Sequence, residues 1–184
     1  ALLWLEPRLH DFTARHPHIT PQVITQTLAP DQARDEFDVV IRRGRDDWAP
    51  GLEAQPLFTD ELVLVAAPSL LARQGLADFH ALAQHNLLTA KARREDWHNW
   101  AMYLGQARPI GRQTQQFEHM HRVLEATVEG QGVALCPTSL LGSHLASGRL
   151  VCPLPELRMP LPDYYFAVAG AGSAQARLFV DWLV

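Results

Sequence analysis

Apolar residues recur along the chain in two periods, one helical and one strand-like, and the two alternate from end to end. Leu5, Leu9 and Phe12 fall at helical spacing and predict an opening helix, with Pro7 tolerable in its first turn. His16-Pro17 ends it, because a residue before proline avoids the α region. Residues 21–25 read as a strand, 28–37 as a polar connection containing Pro30, and 38–42 as a short buried strand stopped by Arg43-Gly44. A loop with Trp48, Pro50 and Gly51 follows. Pro56-Leu57-Phe58 then leads into 61–67, the most continuous apolar strand, which Pro68 ends.

The next hundred residues repeat the alternation. A helical turn at 69–73 is closed by Gly75, a short helix spans 79–84 and a strand 86–89. Trp97 and Trp100, three apart, predict a helix with its aromatic face turned inward. Met120, Leu124 and Val128 place an amphipathic helix at 118–129, with Gly130 as its cap. Strand 132–136, helix 140–146, strand 150–152, a proline-rich loop at 153–162 and strand 164–169 follow. After Gly170 and Gly172, residues Ala176, Phe179, Val180 and Leu183 define a last helix with Ser173 as its N-cap. Alternating strands and helices predict an α/β fold with mostly parallel strands.

Composition narrows the function classes. With 47% apolar and 20% charged residues the chain can build a buried core. A net charge of −4 leaves no basic footprint for nucleic acid, so this segment is not expected to grip DNA itself. Fifteen of the 16 basic residues are Arg and only Lys91 is Lys. Cys136 and Cys152 each precede a proline in an apolar run and read as buried thiols of a reducing compartment. No run is apolar for the roughly 18 residues a membrane span needs. The opening Ala1-Leu2-Leu3-Trp4, without an initiator Met, reads as the entry to a helix in a piece of a longer chain.

Six stretches, in one order and covering nearly the whole chain, resemble the effector-binding domain of LysR-type transcription regulators. They are Leu5-Glu6-Pro7-Arg8-Leu9 with Phe12 and His16-Pro17; Phe37 to Arg42 with Gly44 and Trp48; Phe58 to Leu70; Leu124 to Pro137; Leu145 with Gly148 to Pro153; and Ala176 to Leu183. The Trp97–Trp100 pair and Gly130-Gln131-Gly132-Val133-Ala134-Leu135 are most similar to the glycine-cleavage activator branch, which includes β-lactamase regulators. The resemblance implies a type II periplasmic-binding-protein-like fold: two Rossmann-like α/β lobes joined by two crossing strands, 61–67 and 164–169, with a ligand cleft between them. Lobe I would comprise 1–67 with 170–184, and lobe II 68–169. The N-terminal winged helix-turn-helix and the first strand of lobe I, whose loop normally gives the effector a Ser or Thr, lie outside this sequence. The implied partners are a small-molecule effector such as an amino acid or carboxylate, and further copies of the chain in a homodimer or homotetramer. The helix after Glu6 and the Met120 helix are candidates for that face, or simply core. DNA would be bound only through the absent domain, in the cytoplasm and with no membrane or cofactor.

The candidate ligand residues are Gln26, Thr27, Arg42, Gln116, Phe117, Glu118 and Tyr165. Ligands of such folds sit at the carboxyl ends of strands, where a few polar groups fix them in a mostly apolar pocket. By resemblance, the Thr27 region supplies a ligand-contacting Thr. Arg42 ends a strand and can hold a carboxylate in a bidentate pair, or pair internally with Asp38 or Glu61. Gln116, Phe117 and Glu118 precede a helix whose free N–H groups suit an anion. Glu118 either receives an amino group or caps the helix; Phe117 covers the ligand or joins the core. Tyr165 lies near the second crossing and either faces the ligand or solvent.

Other chemistries find less support. Nine histidines invite a metal, but His119 and His121 would point to different faces of a helix. Ser139, Ser143 and Ser147 lack a nucleophile-elbow context, and Gly130-Gln131-Gly132 precedes a strand instead of following one. No enzyme is expected. The remaining rivals are a solute-binding protein of a transport system, which shares the fold, and a small hydrolase or transferase.

Overall fold

The structure, a computed structural model, describes residues 2–25, 37–46, 48–170 and 172–184. In chain order the elements are α1 (Leu2–Arg15), β1 (Val39–Arg43), β2 (Gln55–Val65), α2 (Pro68–Arg73), β3 (Asn86–Ala90), α3 (Asp96–Tyr103), β4 (Gln113–Phe117), α4 (Met120–Val128), β5 (Val133–Pro137), α5 (Gly142–Ala146), β6 (Met159–Val168) and α6 (Ala174–Leu183). Short 3₁₀ turns occupy Phe79–Gln84, Lys91–Arg93 and Thr138–Leu140. The chain divides into two compact units, Ala1–Asp60 with Pro162–Val184, and Glu61–Leu161. It leaves the first unit within β2 and returns within β6.

In the first unit β1 pairs antiparallel with β6, which sets Arg42 opposite Tyr165 and Arg43 opposite Tyr164. Phe12, fully buried, anchors α1 against α6: its ring meets Phe179 edge-on at 5.1 Å and Trp182 at 5.2 Å. The Trp182 indole N–H donates to the Asp11 carboxylate at 2.9 Å, and this bond is the leading cause of a carboxyl pKa below the usual range. Ser173 caps α6 as expected, accepting from the Ala176 amide at 3.0 Å. Two expectations need correction. Helix α1 is already formed at Leu2, so Pro7 lies in its second turn and removes an interior hydrogen bond. Residues 21–25 form no strand: their N–H and C=O groups have no neighbouring strand among the described residues, and an apolar β-prone run without a partner is not a strand.

In the second unit β3 runs parallel to both β4 and β5, and β5 is antiparallel to β2. The expectation of mostly parallel strands therefore fails where the two crossing strands β2 and β6 pair antiparallel to their neighbours. Strand alternation sends side chains to two faces. One face packs Leu62, Leu64, Leu87 and Leu135 under Trp97 and Trp100. The other packs Val63, Val65, Leu88, Ala90 and Cys136 under Val123, Leu124 and Ala126 of α4. Trp97 and Trp100 meet edge-on at 5.9 Å, and their indole N–H groups donate to Leu88 and Leu157 carbonyls, so both buried rings are satisfied. Gly130 closes α4 with φ +74°, a conformation costly for any residue with a Cβ. The expected helix at 140–146 is a 3₁₀ turn followed by α5, and the expected strand at 150–152 is a single bridge between Ala66 and Val151. Strand β4 was not anticipated: its sequence Gln113-Thr114-Gln115-Gln116-Phe117 shows no apolar alternation.

Candidate functional site

Alternation along β1 separates two adjacent arginines. Arg43 turns toward a carboxylate with no exposed side-chain surface, Asp60, to which it donates; its guanidinium also lies 4.3 Å over the Tyr164 ring and donates to the Pro162 carbonyl at 3.0 Å. Phe58 lies tilted against Tyr164 at 4.7 Å and Trp4 against Phe58 at 4.5 Å, an aromatic row in which Tyr164 is buried and the other two rings are half-buried. This ion pair was not read from the sequence; the signal available was the acidic Asp60-Glu61 step where β2 turns from mixed to continuously apolar.

The opposite face of the same strand pair carries two expected ligand residues. Arg42 and Tyr165 are cross-strand partners, so their side chains stand on one face. Arg42 donates to the Asp46 carbonyl at 3.1 Å and lies 5.4 Å over the Trp48 ring. Of the carboxylates named as internal partners, Asp38 accepts from the Ser173 hydroxyl at 3.2 Å and Glu61 from Arg158 at 3.0 Å. Trp48, a loop residue within one of the family stretches, was not among the candidate ligand residues; its indole donates to the Gly44 carbonyl at 3.1 Å, fixing a ring beside Arg42. Gln26 and Thr27 lie outside the described residues.

Gln116, Phe117 and Glu118 are consecutive but do not share a surface. Gln116, opposite Thr89 across β3–β4, lines a pocket of ≈210 Å³ within the second unit. Phe117, one residue on, faces the other way and packs against the layer under α4. Glu118 does not cap α4, whose N-cap is His119; its carboxylate faces Lys91 at 3.4 Å with both side chains largely exposed. His119 and His121 stack at 5.5 Å, and among the described residues no group of three His, Cys, Asp or Glu side chains is placed to hold a metal. Cys136 is buried, and desolvation raises its thiol pKa far above the ordinary value; Cys152, half-buried, is shifted the same way by the same cause. Among the described residues no helix is long and apolar enough to cross a membrane.

Comparison with known proteins decides the family. The family model described as the LysR substrate binding domain matches residues 1–184. The chain belongs to the LysR substrate-binding domain family. Its relatives include the glycine cleavage system transcriptional activator of Escherichia coli K12, 32% identical over 187 residues that span all of this chain and 61% of that protein. The transcriptional activator AmpR of Pseudomonas aeruginosa is 37% identical over 98% of this chain and 60% of its own length. This LysR-type domain thus spans about three-fifths of the curated relatives it matches. Among solved structures, the AmpR effector domain of P. aeruginosa superposes with a TM-score of 0.71 at 31% identity, covering 99% of this chain and 87% of that one. The AmpR effector-binding domain of Citrobacter freundii gives 0.73 at 28% identity, covering 97% and 88%. The fold is therefore the α/β, periplasmic-binding-protein-like fold of LysR effector domains, as the sequence implied. These relatives are transcription regulators.

Proposed function

We propose that this LysR-type domain senses a small molecule, without making or breaking a bond in it, and controls DNA binding by a helix-turn-helix segment outside this sequence. The family match along the entire chain carries this reading. The net charge of −4 agrees with DNA contact lying elsewhere. The effector is an amino acid or small carboxylate, and its candidate contacts are Thr27, Gln26, Arg42 and Tyr165, with Gln116, Phe117 and Glu118 at the end of β4. A ligand can shift a conformational equilibrium only by its differential affinity for the two states, about 1–3 kcal/mol in such couplings. The protein acts in the cytoplasm as a homodimer or homotetramer, so that a change in one chain moves the attached DNA-binding arms.

A thermal-shift screen of the chain against amino acids and small carboxylates, repeated on Arg42→Ala and Thr27→Ala, tests this. A compound that raises the wild-type melting temperature, and raises it less in both variants, supports the reading. Equal stabilisation of all three proteins rejects these residues as its site.

A further inference from the structure

We propose that the pocket beside β4 is a second ligand site, contained in the Glu61–Leu161 unit, that binds a compact organic carboxylate. Its floor follows from strand alternation. Leu88 and Ala90 pack under α4, so Leu87 and Thr89 face the opposite side with Trp97. Thr114 and Gln116 are registered with Leu87 and Thr89 and share that side. Because β4 pairs with no described strand other than β3, and α3 covers Leu87 but leaves Thr114 and Gln116 exposed, an open strip remains over β4.

Two arginines wall this strip, Arg94 from the turn before α3 and Arg108 from the segment after it. The second wall is pinned. The Gln106 amide donates to the Ala101 carbonyl at 2.8 Å and the Arg112 amide to the His85 carbonyl at 2.9 Å. Gly111 passes so close to β3 that a Cβ there would lie 2.5 Å from Leu87 Cγ and 2.7 Å from the His85 carbonyl oxygen. Arg108 is thus carried on a fixed support, and holding a binding group in place beforehand lowers the cost of binding. Among the described residues Arg108 makes no ion pair or side-chain hydrogen bond, and Arg94 has only Glu95 at 3.4 Å with both groups mostly exposed.

The charges select the ligand. Two guanidinium groups against the one carboxylate of Glu95 leave a single net positive charge, which suits a monoanion and disfavours a dianion. Guanidinium groups match a carboxylate's two oxygens, and Thr114 and Gln116 add neutral hydrogen-bonding groups. Leu87, Trp97 and Pro109 supply apolar surface for a carbon skeleton, and ≈210 Å³ accommodates one of amino-acid size. The inference does not depend on the effector reading; Gln116 is the one residue common to both.

The test is fluorine NMR of 4-fluorophenylacetate titrated with the chain, beside the neutral 2-(4-fluorophenyl)ethanol. The expected result is saturable line broadening of the carboxylate and none of the alcohol. Arg108→Gln should weaken binding about tenfold, the loss of one charge-assisted hydrogen bond, while Arg149→Gln, at an exposed arginine of the same unit outside the pocket, leaves it unchanged. Both side chains are exposed, so melting temperatures should match wild type. Absence of saturable binding, equal binding of the alcohol, or binding unaffected by Arg108→Gln would overturn the proposal.

Discussion

The Glu61–Leu161 unit is held by two apolar layers, one on each face of its strands, with the fully buried Trp100 at the centre of one and Cys136 within the other. The Ala1–Asp60/Pro162–Val184 unit leans instead on an aromatic row, Trp4, Phe58 and Tyr164, on Phe12 between two helices, and on a buried Arg43–Asp60 pair. The first arrangement is tolerant of chemistry but sensitive to volume. The second is sensitive to charge, because an isolated buried carboxylate is far costlier than a small cavity. On the other face of the same strand pair stand Arg42 and Tyr165.

The difference is open to graded tests. Trp100→Ala should cost about 4 kcal/mol, from lost packing and an orphaned Leu157 carbonyl, read by chemical denaturation. Hydrogen exchange should rise in β3 and β5 more than in β1; a loss below about 1 kcal/mol would remove Trp100 from the centre of the core. Arg43→Met should cost about 3 kcal/mol by removing the positive charge beside the buried Asp60 carboxylate, and adding Asp60→Leu should restore most of it. No recovery in the double variant would mean that packing, not charge, dominates this pair. Ser173→Ala should lose about 1 kcal/mol through the α6 cap. Smallest is the exposed Lys91–Glu118 pair, where Lys91→Ala should change the melting free energy by less than about 0.5 kcal/mol.

Acid tests one more contact in the first unit. The Trp182 indole holds the Asp11 carboxyl below its usual pKa, so the contact stabilises above the unfolded pKa and is lost as pH falls through the folded one. Trp182→Phe should move the Asp11 titration, followed by carboxyl carbon NMR, upward toward the ordinary value. An unmoved titration would assign the shift to Arg15, 2.9 Å away.

Local signals were legible in the sequence where one residue settles the geometry. Met120, Leu124 and Val128 placed α4 within two residues of its observed start, and Ser173 and Gly130 marked ends through side-chain and backbone chemistry that acts over one turn. Non-local pairing was not legible. The apolar Val23 and Ile24 read as a strand, yet a strand exists only with a neighbour, whereas the polar β4 became one because β3 lay beside it. At the candidate site the residue types were visible but their directions were not. Arg42 and Arg43 differ in sequence by one position and in structure by a whole face, and Gln116 and Phe117 part in the same way. The ordered family stretches carried the family assignment, which no single motif would have given.

The most direct test of sensing without chemistry is calorimetric titration of the chain with the compound that most raises its melting temperature, followed by NMR of the ligand released on denaturation. Saturable heat in wild type, at least about tenfold weaker affinity in Arg42→Ala, and ligand recovered unchanged are predicted. A chemically altered ligand, or an affinity indifferent to Arg42, would contradict the account.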